Sequence, residues 1–253
     1  MISIKSPSEI EKLRKAGHIT GGALVAAGKA IRPGMTTKEL DTIIRKYITS
    51  HGAKPGFLGY GGFPGSACIS VNDVVIHGIP GNYVFKEGDI VSVDTGAYIN
   101  GYHGDSAYTF AVGEISDEAK RLLKSTEESL MIAIGMAKPG VRLGDIGAAI
   151  QKYNEANGFG VVREFVGHGV GKDLHEEPEV PNFGKEGHGL RLREGMVIAI
   201  EPMITAGSPK VNVSKKDGWT VTTVDGSLAA HFEHTIAITA DGCEILSVRD
   251  ADF

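Results

Sequence analysis

Asp94-Thr95-Gly96-Ala97-Tyr98-Ile99-Asn100-Gly101-Tyr102-His103-Gly104-Asp105 follows the apolar, β-rich run Ile90-Val91-Ser92-Val93. Asn-Gly between two such segments is the strongest short-range hairpin signal, because both loop residues of a type I′ turn need positive φ. With Asn100 and Gly101 as the loop, Ile99 faces Tyr102, Asp94 faces Ala107 and Asp105 faces Gly96. Side chains alternate with period two, so Asp94 and Asp105 fall on one face as diagonal cross-strand neighbours, roughly 5 to 8 Å apart. Two carboxylates at that spacing among apolar residues repel unless a proton or a cation lies between them. His103 shares the face. Taken alone, the stretch also reads as a solvated hairpin edge, and the rest of the chain has to decide.

Outward from the hairpin, one order of elements occurs twice. Ser6-Pro7-Ser8-Glu9 reads as a capping box with Pro at the first helical position, and a long helix is predicted to about Ile31. Arg32-Pro33-Gly34 breaks it. A second helix starts at Thr36-Thr37-Lys38-Glu39 and keeps Leu40, Ile43, Ile44, Tyr47 and Ile48 at helical spacing until Gly52. A loop rich in Gly and aromatics then leads into strand-like Ala67-Cys68-Ile69-Ser70-Val71 and Val74-Val75-Ile76-His77. Pro33-Gly34, Ile44, Lys46-Tyr47 and Gly52 recur 106 residues later as Pro139-Gly140, Ile150, Lys152-Tyr153 and Gly158. Glu87-Gly88 ahead of Ile90 to Asp94 recurs at an offset of 107 as Glu194-Gly195 ahead of Val197 to Glu201. Asp94 and Glu201 become counterparts, as do Asp105 and Glu233, and Ile76-His77-Gly78-Ile79 resembles Gly167-His168-Gly169-Val170.

The predicted fold is a single α/β (α+β) domain over 1-253, made of pseudo-symmetric halves, about 1-115 and 116-253, with antiparallel sheet flanked by helices. Four carboxylates and a His converging where two such halves meet suit two divalent ions bridged by carboxylates and a water. A solvated edge needs no symmetric copy.

Bulk properties agree with one catalytic domain. A chain of 253 residues suffices for a substantial single core, and 42% hydrophobic with 23% charged residues excludes a disordered or fibrous chain. A net charge of −5 leaves no basic footprint, so nucleic acid is not an expected partner. Met1-Ile2-Ser3-Ile4-Lys5 opens no apolar stretch of signal-peptide length and no later segment could span a membrane, so a cytoplasmic protein is expected. Cys68 and Cys243 belong to no CxxC pattern and read as two reduced thiols.

Val75-Ile76-His77-Gly78-Ile79-Pro80, Val93-Asp94 with Gly104-Asp105, Gly167-His168-Gly169-Val170-Gly171 with Leu174-His175-Glu176-Glu177-Pro178, Ile200-Glu201-Pro202, and Phe232-Glu233-His234-Thr235 resemble the motifs of type I methionine aminopeptidases, in order and over essentially the whole chain. The resemblance implies the pita-bread fold. It also implies removal of the N-terminal methionine from nascent proteins and peptides, with a small second residue preferred, by a water activated at a dinuclear metal centre. Asp94 would chelate one ion, Asp105 and Glu233 would bridge the pair, and His168 and Glu201 would complete the other, the ions lying about 3.5 to 4 Å apart. One imidazole against four carboxylates is a hard donor set that favours Mn, Fe(II) or Co(II) over a structural Zn; Ni or Zn remain candidates, and availability decides.

In the same pattern His77 and His175 are substrate contacts, not ligands. His175 would donate to the scissile carbonyl oxygen, His77 would sit beside the leaving amine, and Glu201 would accept the proton of the attacking water. Tyr60, Phe63, Cys68 and Trp219, together with Phe57, would line the methionine pocket. Asn72 and Val74 match positions that offer oxygens to a monovalent cation. Peptide or nascent-chain N-termini are the implied partners of a monomeric enzyme in transient contact with the ribosome.

The chain departs from relatives at Gly61 and Phe63, where they carry His and Tyr, and at Phe57, where some carry Cys. These positions bear on the pocket's shape and leave the metal chemistry alone. His18, His51, His188 and His231 read as turn or surface residues, and Glu176 and Glu177 fit a solvated loop as well as a site. Among rivals, aminopeptidase P and prolidase relatives carry an added N-terminal domain, whereas the first helix here begins near residue 7. Type II methionine enzymes carry a long helical insertion, whereas 31 residues separate Glu201 from Glu233. A non-catalytic pita-bread binding protein would have lost ligands, and none is missing.

Overall fold

The computed structural model describes residues 2–250. Its first sheet is built on the Asn100-Gly101 hairpin. Ile90–Ile99 and Tyr102–Ala111 pair antiparallel from Ile90↔Ala111 to Ile99↔Tyr102, with Asp94 opposite Ala107 and Asp105 opposite Gly96. Asn100 and Gly101 take φ of 55° and 84°, a conformation these two residue types adopt at least cost. The far edge of Ile90–Ile99 receives Ala67–Val71 and the two-residue strand Lys54–Pro55.

Two helices cover this sheet. α1 (Pro7–Ala30) opens with the Ser6 N–H donating to Glu9 Oε2 at 2.9 Å, and it stops at Ala30 with Ile31 as its cap. α2 (Thr37–Ser50) has the reciprocal box: Thr36 N–H donates to Glu39 Oε2 at 2.7 Å and Glu39 N–H to Thr36 Oγ1 at 3.2 Å. The α2 stripe Leu40, Ile44 and Ile48 is fully buried in one cluster with Leu24 of α1 and with Val91 and Val93 of the sheet. Trimming one of these to Ala costs about 2–5 kcal/mol, because a close-packed site cannot fully collapse around the cavity.

α3 (Asp117–Met136) and α4 (Leu143–Ala156) repeat the helix pair, and α4 begins and ends 106 residues after α2. Through Leu122, Leu130, Ile146 and Ile150 they bury Ile198, Ile200 and Ile236. Those residues belong to a five-stranded sheet in the order Cys243–Ile245, His234–Ile238, Val197–Ile200, Gly167–Gly169, Glu176–Val180. Here the halves differ. Val197–Ile200 and His234–Ile238 are neighbours, as the two hairpin strands are, but a long excursion joins them where Asn100-Gly101 suffices in the first half. The excursion contributes Met203–Thr205 and Ala229–His231 to one three-stranded sheet, and Val211–Val213 and Val221–Thr223 to another whose third strand is Val74–Ile76 of the first half.

Strand Tyr102–Ala111 fastens the halves together. Ser106 Oγ donates to Glu233 O at 2.7 Å, Thr235 Oγ1 to Asp105 O at 2.7 Å, and Thr109 Oγ1 to His231 O at 2.8 Å. Glu233 N–H donates to Ala107 O at 2.9 Å. The bonds run through the backbones of Asp105 and Glu233, so two carboxylates from different halves are set by one group of contacts. No helix among the described residues is long and apolar enough to cross a membrane.

Candidate active site

Five side chains form the floor of a cleft at this junction. Asp94 and Asp105 come from the hairpin, His168 from Gly167–Gly169, Glu201 from the residue after Val197–Ile200, and Glu233 from the link between Ala229–His231 and His234–Ile238. Ligand atoms of Asp105, His168 and Glu233 lie within 4.8 Å of one another. His168 Nε2 is 3.6 Å from Asp105 Oδ2 and 3.6 Å from Glu201 Oε1. Its Nδ1 is 2.9 Å from the Gly169 carbonyl, which can only accept, so the proton sits on Nδ1 and the Nε2 lone pair faces the carboxylates.

The electrostatics of this floor call for cations. Burial pushes Glu201 up to about 8. It pushes Asp94 up to about 7, with the Glu201 charge adding and His231 opposing. Asp105 and Glu233 are also raised well above the usual carboxylate range, by burial first and then by the other carboxylates. Burial, helped by neighbouring His175, lowers His168 to about 3 and keeps it neutral, as a ligand must be. Asp94 Oδ1, Asp105 Oδ1 and Glu233 Oε1 are buried without a hydrogen-bond partner, and buried oxygens are rarely left so. Unpartnered carboxylate oxygens facing a neutral imidazole nitrogen are the donor set a divalent ion takes.

His231 overturns its sequence reading as a turn or surface residue. It is 1% exposed and its Nε2 lies 3.4 Å from Glu201 Oε2. Ala229–His231 pairs with Met203–Thr205, and the two-residue step from Glu233 turns His231 toward the same site. His18, His51 and His188 are exposed, in keeping with theirs. Glu177 is exposed, whereas Glu176 is half-buried and paired with Lys5.

The other expected residues surround the mouth. Phe57, Phe63 and Cys68 form a buried apolar cluster with Leu174, against which Trp219 packs. The Trp219 ring stands edge-on to Phe63 with centroids 5.2 Å apart. Together with the floor they enclose about 320 Å³. Tyr60 caps this slot more than it lines it, being 42% exposed with its hydroxyl 2.9 Å from His175 Nδ1. His77, at φ 58°, meets Phe165 and Trp219 edge to face. Burial, then His231 and His175, lower its pKa to about 4. Burial likewise lowers that of His175. Leu174 and Phe165 carried no sequence signal for this slot; each reaches it through loop geometry. Asn72, at φ 55°, has its carbonyl engaged by the Ala229 N–H at 2.8 Å and its side chain by Asp89 and Ile90.

A carboxylate floor with one imidazole, closed on one side by an apolar slot and set between two similar half-domains, defines a metal-dependent peptidase of the pita-bread class. The chain belongs to metallopeptidase family M24, whose model matches residues 11–240. It is 55% identical over 248 residues to a methionine aminopeptidase of Clostridium perfringens, covering 98% of this chain and 99% of the relative. The crystal structure of a methionine aminopeptidase from Thermotoga maritima superposes with a TM-score of 0.96 at 52% identity, covering 98% of this chain and 99% of that one. A prolidase from Pyrococcus furiosus gives 0.79 at 25% identity, with 98% of this chain covering 66% of that one. The family implies a divalent metal, and the buried Asp105, His168 and Glu233 group fits one.

Proposed function

We propose that this protein is a methionine aminopeptidase that hydrolyses the first peptide bond of chains beginning with methionine and a small second residue. The observation that carries the reading is the meeting of the five-residue floor with a slot walled by Phe57, Phe63, Cys68 and Leu174. Asp94, Asp105, His168, Glu201 and Glu233 are the residues that would hold two divalent ions. When bound, such ions supply Lewis acidity toward the scissile carbonyl and activate a water at neutral pH.

The chain's own side chains do the rest. The Glu201 carboxylate takes the proton of the attacking water and returns it to the departing amine, a role suited to its place on the cleft floor beside Asp94, His168 and Glu233. With the Tyr60 hydroxyl donating to Nδ1, His175 carries its proton on Nε2 and can donate it to the carbonyl oxygen as negative charge develops there. His77, kept neutral by burial, stands beside the peptide nitrogen. The slot suits methionine because a long, unbranched, polarisable chain fills it and sulfur gains from aromatic edges. A monomer working in the cytoplasm on nascent-chain N-termini, with a transient ribosome contact, belongs to the same proposal, as does a monovalent cation near Asn72 and Val74.

The experiment is incubation of Mn(II)-loaded protein with Met-Ala-Ser and Met-Lys-Ser, following free methionine. Release from the first and much slower release from the second is the expected result. No release from either, with cleavage confined to Xaa-Pro peptides, would move the protein to the prolidase or aminopeptidase P side of the family.

A further inference from the structure

The turn that carries His175 is held from outside the site by a pair the proposed chemistry does not use. Glu176 Oε1 accepts the N–H of Lys172 at 2.8 Å and that of Asp173 at 3.4 Å. Its Oε2 pairs with Lys5 Nζ, and the two side chains are only 16% and 4% exposed. Lys5 lies in the segment ahead of α1 and is itself fixed, its N–H donating to Gly195 O at 2.7 Å. A buried ammonium and carboxylate are expensive to desolvate and strongly destabilising to separate, so the pair is a firm tie between distant parts of the chain. The Glu176 carboxylate also leaves no room for a side chain at 171, where a Cβ would collide with it. Gly171 O in turn accepts the His103 N–H at 2.9 Å, from the strand that carries Asp105. On the inner side Leu174 is anchored among Phe57, Phe63 and Cys68. His175 stands between the two anchors.

We infer that Lys5 is a positioning residue for His175: the Lys5–Glu176 pair sets the 171–176 turn and so fixes where the imidazole meets the substrate carbonyl. This rests on the role proposed for His175 above. Without Lys5, Glu176 Oε2 loses its partner and the carboxylate keeps only the Lys172 and Asp173 N–H groups of its own turn, so the turn is no longer tied to the segment ahead of α1 and can shift. A displacement of about 1 Å in a group that acts on the reacting centre is worth roughly tenfold to a hundredfold in rate.

The test is a double-mutant cycle on the full-length, Mn(II)-loaded protein with Met-Ala-Ser, reading kcat, KM, metal content and Tm. Lys5→Met is expected to lower kcat about tenfold, with KM changed less than about twofold and metal content unchanged. Lys5→Arg restores most of the rate. In a His175→Ala background the same Lys5→Met change should alter kcat by less than about twofold, since its effect runs through the missing imidazole. Equal losses in both backgrounds would overturn the inference while leaving the His175 role standing. A His175→Ala enzyme with undiminished kcat would remove both. Should Lys5→Met not fold, Glu176→Gln, which keeps the side-chain volume, takes its place in the same cycle with the same readings.

Discussion

The floor and the mouth of the cleft are built on opposite principles. The floor is carried by strands whose backbones are cross-bonded between the halves, through Ser106, Thr109 and Thr235. Asp94 Oδ1, Asp105 Oδ1 and Glu233 Oε1 are buried there without a partner. The mouth is carried by the 57–63 loop, the 171–176 turn and the segment around Trp219; inside the slot its contacts are apolar packing with the Tyr60–His175 bond at the rim, and its polar ties, such as Lys5–Glu176, lie on the outer side. A floor of that kind fixes charge to the accuracy a cation demands. A mouth of loops fixes shape and presents donors, and it can change without disturbing the floor. The two regions should therefore fail differently.

The largest expected effect belongs to the floor. Asp105→Ala or Glu233→Ala should cost about 10³-fold or more in kcat/KM, because the lost Lewis acidity amounts to several kcal/mol. Metal content measured alongside should fall too; an active, metal-poor Asp105→Ala enzyme would break the division at once. Next comes the mouth's choice of substrate. Replacing the N-terminal Met of Met-Ala-Ser with Lys buries an unpaired ammonium in the apolar slot and should lower kcat/KM on the order of 10³-fold. Equal rates for the two would mean the slot is open to water. His175→Ala should lose roughly 10² in kcat, the scale of one donor to a developing oxyanion, while metal analysis finds the protein fully loaded. An empty His175→Ala protein would place that residue in the floor.

A gentler substitution sharpens the comparison. Norleucine keeps the length of methionine and lacks its sulfur, so norleucyl-Ala-Ser should be cleaved within about tenfold of the Met peptide. A Leu preference instead would show that Phe57 and Phe63 have reshaped the slot. The smallest effect is one of pH on the metal-free protein. Folding raises Asp94 from 3.8 to about 7 and Glu201 from 4.5 to about 8. The unfolded chain gives up these protons first, so the stability the groups lend is complete below about pH 4 and is lost as pH rises through 7 to 8. Up to about pH 6.5 the buried His77, His168 and His234, lowered on folding, offset that loss, so Tm should decline by a few degrees chiefly between about pH 6.5 and 8, at about 2–4 °C per kcal/mol for a chain of this size. Mn(II) should abolish the decline. A Tm unchanged between about pH 6.5 and 8 would mean that water reaches the floor carboxylates.

The same contrast explains what could be read from the sequence. Asp94 and Asp105 were legible because Asn100-Gly101 fixes the register, and register fixes the face of every residue in the pair. Glu201 followed from the recurrence at an offset of 107 and Glu233 from the repeated order of elements, although these two sit beyond the end of their ladder, without a tight turn. His231 escaped because its strand is three residues long and lies in the excursion the first half lacks. At the mouth, the 171–176 turn is set by partners far away in the chain. The Lys5–Glu176 pair spans 171 residues and the His175–Tyr60 bond 115. Leu174 and Phe165 enter the slot only because of such tertiary ties, and no local period marks them.

The most direct measurement is an anomalous-scattering map from crystals soaked in Mn(II). The expected result is two ions between the halves, held by Asp94, Asp105, His168, Glu201 and Glu233, with density shared at Asp105 and Glu233. A map with no ion there, and these side chains more than about 6 Å apart, would contradict the metal centre and the chemistry built on it.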